Sequence, residues 1–525
     1  MATTNYQLYV DWNNDGDYAD SNENISSHVQ QLNWDRGRDF ANNLTGDSVS
    51  GTLRAVLRNT TGIFSPFKSD GALFGNLVPA RKVSLQMGAG SFAYTFPFRF
   101  NQIVWTGFVK SIVPFPSLQG NDFAVLEAIG SLGFLNQKTV KVAPQTDRNT
   151  GTAIGDILDA SGWGASDRDL DTGNTTIKRF SIPAETKTIE ALRMVENSEN
   201  GFVSETKDGK IKFEKRQARQ VDTTATTSQA TLSDATSTSN FSFNRIEQED
   251  SIKNIFNEIT VNIKNYQTES GADVVWIHAE TGADSPAIPS GQTRIYRAFF
   301  PQLTSDTMQS IYTSADSINA WTSTASTTDV LANTSADGSG SNATSDLTIA
   351  NVKTANYMDI TLTNGNASTV YITKLQARAT VTSSLDDTQI TASDSTSETA
   401  FGKRVHDSTA PFVPDSEEGF RWCQYNLVRF KDPLQILNVT IPANRNDTTL
   451  DNVMSLDISH RITLDAHTKT GLLSADKDFF IENESHFVNN NKIHTVNYAL
   501  SPVSSIGKFW VMGVSLLESE TYIGY

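Results

Sequence analysis

The chain has 525 residues, which corresponds to about three or four domains. It carries 42 Lys and Arg residues against 59 Asp and Glu residues, for a formal net charge of −17 at pH 7. Because binding to phosphate polyanions needs clustered basic side chains, this charge argues against nucleic acid or an anionic membrane as the main partner, and the single cysteine, Cys423, excludes an intrachain disulfide framework.

Residues 1–140 are predicted to form a β domain. Apolar and polar residues alternate over short stretches, as at Tyr6, Leu8 and Val10, and clusters of Gly, Asn, Pro and Asp separate the stretches. The first residues show neither the basic nor the apolar segment of a Sec-type signal peptide, and no run of about 18 apolar residues occurs in the sequence. We therefore expect synthesis in a cytoplasm and no membrane-spanning segment.

An acidic motif, DWNNDGD, begins at residue 11. Its oxygen-bearing side chains Asp11, Asn13, Asp15 and Asp17 occupy alternate positions, with a glycine that permits a sharp turn, as in the first half of a calcium-binding loop. The twelfth position of such a loop carries no glutamate, and the preceding residues are predicted to form a strand. The motif therefore predicts either a Ca²⁺ site at these four residues or a tight turn between two strands whose acids face solvent.

Residues 141–220 are predicted to form a small α+β domain with two helices and a hairpin. Thr152 can cap a first helix that ends at Gly162, and Thr188 or Thr186 can cap a second that ends at Gly201. The sequence KDGK then places a two-residue turn between two short alternating stretches.

The remaining chain is predicted to consist mainly of strands. Residues 221–268 hold strands that return to the first β region, and residues 269–400 form an inserted, Ser- and Thr-rich β-sandwich. Within this insert, residues 317–346 have low complexity and are expected to be irregular. Residues 401–525 hold a helix and a second β domain. The helix is expected to carry one apolar side, formed by Phe420, Cys423, Leu427 and Phe430.

No catalytic signature stands out in the sequence. The seven histidines form no H-E-x-x-H pattern, and no G-x-S-x-G string occurs. The many carboxylates carry no information by themselves, because glycosidase chemistry depends on their separation across a cleft. We therefore expect that the chain is not an enzyme.

The order of the motifs resembles tailed-phage minor tail proteins of the baseplate-hub type. The matching N-terminal pieces are VDWNNDGDYADSNENISSHVQQLNWDRGRD, SGTLRAVLRNTTGIFSPFKSDGALFGNLVPARKVSLQ and IVWTGFVKSIVPFP. TGTAIGDILDASGWGASDRDLDTGN and IEALRMVENSENGFVSETKDGKIKFEKR match the expected second domain, and SLDISHRITL, DKDFFIENESHFV and NYALSP resemble the returning strands. The resemblance covers about residues 5–265 and 400–505, and Ala80 stands where this family usually has glycine.

This resemblance implies a fold and an assembly. The fold class is mainly β with a small α+β domain, two tube-type β-barrel domains and the inserted β-sandwich. Three copies of such a chain provide six tube domains, so a homotrimer can dock on a six-fold ring. The implied role is a structural virion protein at the tail tip, a baseplate hub that lines the channel through which phage DNA passes transiently.

The implied partners are further copies of the chain, the distal tail ring protein, the tape-measure protein and a tail fibre or receptor-binding protein. Three alternatives stay open at this point: a receptor- or glycan-binding adhesin with the insert as its tip, a tail-associated cell-wall hydrolase, and the hexameric ring protein above the hub. The sequence also leaves open whether the particle is a phage, a gene-transfer agent or another injector.

Overall fold

The computed structural model describes most of the chain. The described residues are 3–38, 48–88, 102–117, 120, 122–233, 242–249, 255–263, 266–268, 271–279, 285–299, 318–354, 357–384, 387–466, 477–503, 509–510 and 522–523. None of the helices in these ranges combines the length and the apolar character that crossing a bilayer requires.

The elements alternate between long β stretches and short helical segments. The first stretch comprises β1 (Asn5–Val10), β2 (Val29–Arg38), β3 (Ser48–Arg58), β4 (Lys82–Gly88), β5 (Gln102–Phe115), β6 (Phe123–Ile129) and α1 (Ser131–Leu135). The second comprises β7 (Thr139–Asn149), α2 (Thr150–Ala160), β8 (Arg168–Leu170), β9 (Thr176–Lys187), α3 (Thr188–Glu199), β10 (Phe202–Glu205), β11 (Ile211–Glu214), α4 (Ala218–Val221) and α5 (Thr223–Thr226).

Strands dominate the rest of the chain as well. The third stretch comprises β12 (Thr231–Ser233), β13 (Arg245–Glu249), β14 (Glu258–Ile263), β15 (Tyr266–Thr268), β16 (Asp273–Ala279), β17 (Ala287–Ile288), β18 (Thr293–Phe299), β19 (Ile318–Trp321), β20 (Val330–Asn333), β21 (Leu347–Lys353), β22 (Tyr357–Asn364) and β23 (Val370–Ser384). The last comprises β24 (Thr388–Ser393), α6 (Ser395–Phe401), β25 (Val405–Thr409), α7 (Ser416–Phe430), β26 (Ile436–Pro442), α8 (Asp447–Ser455), β27 (Arg461–Asp465), β28 (Lys477–Val488), β29 (His494–Pro502), β30 (Phe509–Trp510) and β31 (Tyr522–Ile523). The predicted mainly-β class is confirmed.

One sheet of 12 strands joins the two ends of the chain. Its order is β1-β4-β5-β6-β3-β2-β28-β29-β26-β13, and β27 links β12 to β28. The antiparallel pairing of β2 with β28 runs from Leu32 opposite Val488 to Gly37 opposite Asn483, and we call this pairing the seam. A single hydrophobic cluster includes Leu8 from the first part and Leu500 from the last part. Burial of each such side chain contributes about 1.5–3 kcal/mol, so the two ends share one core.

The α+β segment packs around its own core. Helices α2 and α3 contribute Ile154, Ile157 and Leu192 to a cluster that strands β7 and β9 complete. Helix α2 begins at Thr150, two residues before the predicted cap. Helix α3 ends one residue earlier than expected, because Asn200 adopts the left-handed conformation that glycine usually supplies (φ 58°).

The insert has two sheets that share one hydrophobic cluster. One sheet gathers β15, β16, β17, β19 and β20 on the long strand β23, and the other has the order β18-β22-β21. The expectation that residues 317–346 are irregular was wrong for β19 and β20, which both pair with β23. Both strands contain residues of high β-propensity, such as Ile318, Trp321 and Val330, among the small polar residues of this stretch. Residues 322–329 and 334–343 belong to none of the strands, as expected.

Helix α7 is bounded at its start by a side-chain cap. The Asp415 carboxylate accepts a hydrogen bond from the Glu418 backbone N–H. The buried side of the helix includes Cys423, Leu427 and Phe430, as expected. Phe420 was wrongly assigned to this side, since it is 45% exposed. The domain limits of the sequence analysis stay predictions.

Candidate functional site

The acidic loop, residues 11–23, connects the end of β1 to the return of the chain toward β2. Both of its ends are tied to the sheet: the Val10 N–H donates to the Glu23 carbonyl (2.9 Å), and the Asp11 N–H donates to the Lys82 carbonyl on β4 (3.0 Å). The Trp12 side chain is buried beneath the loop. These contacts fix the loop at the outer edge of the 12-stranded sheet, where β1 is the terminal strand.

Three carboxylates meet in this loop. Asp11, Asp15 and Glu23 each place a carboxylate oxygen within 4.8 Å of the oxygens of the other two. Asp11 and Glu23 are 3% and 1% exposed, and Asp15 lies on the surface. The group is therefore open to solvent on one side and enclosed by protein on the other.

The backbone of the loop turns around Asp11. One Asp11 oxygen accepts a hydrogen bond from the Asp15 N–H (3.2 Å) and the other accepts one from the Gly16 N–H (3.0 Å). Glu23 accepts a hydrogen bond from the Asp20 N–H through Oε2 (3.0 Å). Its second oxygen, Oε1, is buried and has no hydrogen-bond partner among the described residues.

The other two residues of the predicted calcium set make contacts within the loop. The Asn13 amide nitrogen donates to the carboxylates of Asp15 (3.0 Å) and Asp20 (2.5 Å). Asp17 accepts a hydrogen bond from the Ala19 N–H (2.8 Å) and lies outside the group of three. The calcium ligands predicted from the sequence lay at alternate positions of the turn and so did not include Glu23. The chain brings Glu23 back against Asp11 only where the loop closes.

A negative charge on all three carboxylates at once is electrostatically unfavourable. Burial raises the pKa of Glu23 above its usual value, the hydrogen bond from the Asp20 N–H opposes this effect, and the charges of Asp11, Asp15 and Asp20 raise the pKa further. The neighbouring Tyr18 phenol is also affected: burial, followed by the charges of Asp11 and Glu23, raises its pKa.

A second cluster of polar residues lies at the seam. The Trp34 and His486 rings, which face each other across β2 and β28, stack with centroids 4.4 Å apart and planes 10° apart. His486 Nδ1 lies 3.0 Å from Nε2 of the buried His494. Burial lowers the pKa of His486 despite the opposing effect of Glu484, and lowers the pKa of His494 well below its usual value.

Buried ion pairs hold the same seam. Arg36 donates to its cross-strand partner Glu484 (2.7 Å) and to Asp457 (2.5 Å), and it also donates to the Glu205 carbonyl on β10 (3.2 Å). Burial opposes ionisation of Glu484, but Arg36 and Lys207 outweigh it and hold its pKa well below the usual range. The seam thus joins three parts of the chain through charges that lie out of water.

Residues of the α+β segment complete this network. Arg219 binds both oxygens of the buried Glu482 (2.5 and 2.9 Å), and Ser501 donates to the same carboxylate (2.6 Å). Glu205 accepts hydrogen bonds from the backbone N–H groups of Gly51 (2.5 Å) and Leu132 (3.0 Å). The α+β segment is therefore anchored to both the first and the last part of the chain.

The fold is similar to that of solved tail proteins. A tail protein from Neisseria meningitidis MC58 matches with a TM-score of 0.50 at 10% sequence identity, over 96% of this chain and 98% of that one. At this identity the likeness concerns the fold, which agrees with the resemblance seen in the sequence. No family model matches the chain. No curated protein matches it either.

Two further tail proteins are similar at lower scores. The 43 kDa tail protein of prophage MuSo2 from Shewanella oneidensis has a TM-score of 0.47 at 9% identity, over 96% of this chain and 100% of that one. The prophage tail protein gp18 from Listeria monocytogenes EGD-e has a TM-score of 0.41 at 7% identity, over 94% of each chain.

Proposed function

We propose that this chain is a structural virion protein of the phage tail tip that forms a trimeric baseplate hub. The observation that carries the proposal is the seam, where β2 from the first part of the chain pairs with β28 from the last part. This pairing joins two stretches that are far apart in the sequence into one continuous sheet. The fold shared with a Neisseria meningitidis tail protein over nearly the whole of both chains supports the same role.

In this proposal three chains close a ring and adapt the six-fold tail to the three-fold tip. The terminal strands of the 12-stranded sheet along its main path, β1 and β13, are edges that need a partner or a cover. A permanent ring interface buries on the order of 2,000 Å² or more. Arg245 and Glu247 on β13 form an exposed ion pair with each other, and in this proposal the charges of that pair meet complementary charges of the neighbouring chain.

The lumen of the ring passes phage DNA transiently and does not retain it. The net charge of −17 per chain supports this role, because an acidic wall repels the phosphate backbone. The distal tail ring protein, the tape-measure protein and a tail fibre or receptor-binding protein are the partners of such a hub. The chain contributes shape and mechanical strength rather than catalysis, in keeping with the lack of nucleophile and zinc motifs in its sequence.

Native mass spectrometry of the purified full chain tests the copy number. Three copies, at three times the chain mass of 57.5 kDa, are expected. Six copies would instead favour the hexameric ring protein, and a chain that stays single at high micromolar concentration would contradict the hub. A variant with Arg245→Glu at the β13 edge is expected to weaken the trimer, whereas Lys110→Glu, an exposed residue on an internal strand, is expected to leave it intact.

A second candidate function, a receptor- or glycan-binding adhesin, rests on one face of the insert. Register places Ile295, Phe299 and Val352 on the outer face of the sheet β18-β22-β21, where they are 67%, 49% and 57% exposed. The Arg297 guanidinium lies 4.1 Å from the Tyr357 ring centroid on the same face. Apolar and aromatic side chains exposed together are typical of binding surfaces.

Binding of the full chain to bacterial cells and to a glycan array tests the adhesin. Phe299→Ser should lower such binding at least tenfold, and Val113→Ser, a similarly exposed apolar residue on β5, should not change it. The adhesin is excluded if the wild-type chain binds neither cells nor glycans.

A further inference from the structure

We propose that Asp11, Asp15 and Glu23 bind a divalent cation of the calcium class in the acidic loop. This site uses two of the four residues predicted from the sequence and adds Glu23. It is independent of the assembly proposed above, since it depends only on contacts within one chain.

The buried Glu23 carboxylate is the main argument for a cation. It is 1% exposed, only one of its oxygens accepts a hydrogen bond, and the other has no partner among the described residues. A buried acceptor without a partner is costly, and a buried charge is retained only when it is paired or coordinates a metal. No Lys or Arg of the described residues forms an ion pair with Asp11, Asp15 or Glu23. A bound cation supplies the missing positive charge.

The chemistry of the three side chains selects the class of cation. All three offer hard carboxylate oxygens and no nitrogen or sulfur, which suits Ca²⁺ or Mg²⁺ rather than Zn²⁺ or Cu²⁺. A loop with one open side, where Asp15 is exposed and water can add further oxygen ligands, fits the flexible coordination of Ca²⁺ better than the strict octahedron of Mg²⁺. Water completes the coordination from the open side.

The position of the site gives the cation a structural role. Glu23 lies in the segment whose backbone bonds to Val10 on β1, and Asp11 lies beside Lys82 on β4. A cation held by Asp11, Asp15 and Glu23 therefore joins both ends of the loop and fixes it against the edge strand of the sheet. Removal of the cation leaves three carboxylates facing one another.

Terbium luminescence of the full chain gives a direct measurement. Trp12 is buried at the base of the loop, and its indole N–H donates to the Asn22 carbonyl (3.2 Å), so it is placed to sensitise Tb³⁺ bound nearby. After removal of metals with EDTA, Tb³⁺ should give saturable emission excited through Trp12. Ca²⁺ should compete with Tb³⁺ at least tenfold better than Mg²⁺ and should raise the melting temperature in EDTA-treated protein.

Matched variants separate a site from nonspecific binding to an acidic chain. Glu23→Gln keeps the size of the side chain and removes its charge, so it should weaken Ca²⁺ binding at least tenfold and abolish the Ca²⁺-dependent rise in melting temperature. Asp17→Asn removes a carboxylate of the same loop from outside the group and should change the affinity less than twofold. If Glu23→Gln does not fold, the exposed Asp15→Asn provides the same comparison.

The site is contradicted if wild-type protein shows neither Tb³⁺ emission nor a shift of the melting temperature with Ca²⁺. It is also contradicted if Glu23→Gln and Asp15→Asn bind as tightly as Asp17→Asn. A trimer that forms equally with and without Ca²⁺ bears on the assembly and leaves the cation site standing.

Discussion

Trp34 and His486 stack nearly parallel, 4.4 Å apart, although one belongs to the first part of the chain and the other to the last. They are direct partners in the register of β2 and β28. Two positions along the same strands, Arg36 and Glu484 form a buried ion pair. The seam therefore combines an aromatic contact with a charge pair, and loss of either should weaken the union of the two ends.

Removal of Arg36 should destabilise the fold strongly. Arg36→Leu leaves Glu484 buried without its partner, and loss of one member of such a pair costs about 3–5 kcal/mol. Urea unfolding measures this cost. Lys110→Ala, which breaks the exposed pair with Glu127, should cost less than about 1 kcal/mol. The double variant Arg36→Leu/Glu484→Gln should regain part of the loss. Equal effects of the two single variants would contradict a structural role of the seam.

Acid should weaken the seam through its histidines. The lowered pKa values of His486 and His494 mean that, below about pH 6.5, the unfolded chain binds protons that the folded chain does not. The free energy of unfolding should therefore fall from pH 7 to pH 5.5, by up to about 1.4 kcal/mol per pH unit for each histidine. This contribution is fully present above pH 6.5.

His486→Gln should make this pH dependence shallower, as measured by urea unfolding at several pH values. His278→Gln provides the control, since His278 is exposed in the insert, and it should leave the slope unchanged. A slope in His486→Gln as steep as that of the wild type would place the titrating groups elsewhere.

Gly37 should tolerate no side chain. Its φ is 123°, and an added Cβ would overlap the Glu482 carbonyl oxygen and lie 2.7 Å from the Asn483 Cα on β28. Gly75 has a similarly positive φ of 82° but open space around it. Thermal unfolding should therefore show Gly37→Ala to be less stable than Gly75→Ala by about 1–3 kcal/mol. Equal losses of stability would mean that backbone strain alone accounts for the effect. Strands β2 and β28 would then be able to shift enough to accommodate the added Cβ.

Replacement of Ala80 by glycine should raise the free energy of unfolding of the protein. It has φ 65°, its N–H donates to the Val109 carbonyl (2.7 Å), and it lies on the surface. A left-handed conformation costs a residue with a Cβ about 1–2 kcal/mol, so Ala80→Gly should stabilise the fold by up to about 1 kcal/mol after the extra flexibility of glycine is included. Ala160→Gly, at the exposed end of α2, should instead destabilise by about 1 kcal/mol or less. Differential scanning calorimetry should show shifts of opposite sign, and two downward shifts would contradict the argument.

The sequence allowed some of these features to be predicted and not others. Alternation along residues such as Tyr6, Leu8 and Val10 was sufficient for strands, and α7 was predictable because its amphipathic pattern ends before a proline. The pairing of β2 with β28 could not be derived from periodicity, which carries no information about partners far apart in the chain. The resemblance to hub proteins indicated returning strands but no register.

The acidic loop shows the same limit. The spacing of Asp11 and Asp15 was visible, whereas Glu23 joins them only because the chain returns along β1.

Ala80 is a feature that the sequence revealed and the structure explains. Its departure from the glycine usual in the resembling family was noted from the sequence, and the positive φ supplies the physical reason for that preference.

The most direct test of the account is a three-dimensional reconstruction, by electron cryomicroscopy, of the full chain assembled in solution. We predict a three-fold ring around an open channel, with the 12-stranded sheet and its seam forming the channel wall in each copy. Isolated single chains, or a ring whose wall is built from the insert while the seam lies on the outside, would contradict the account.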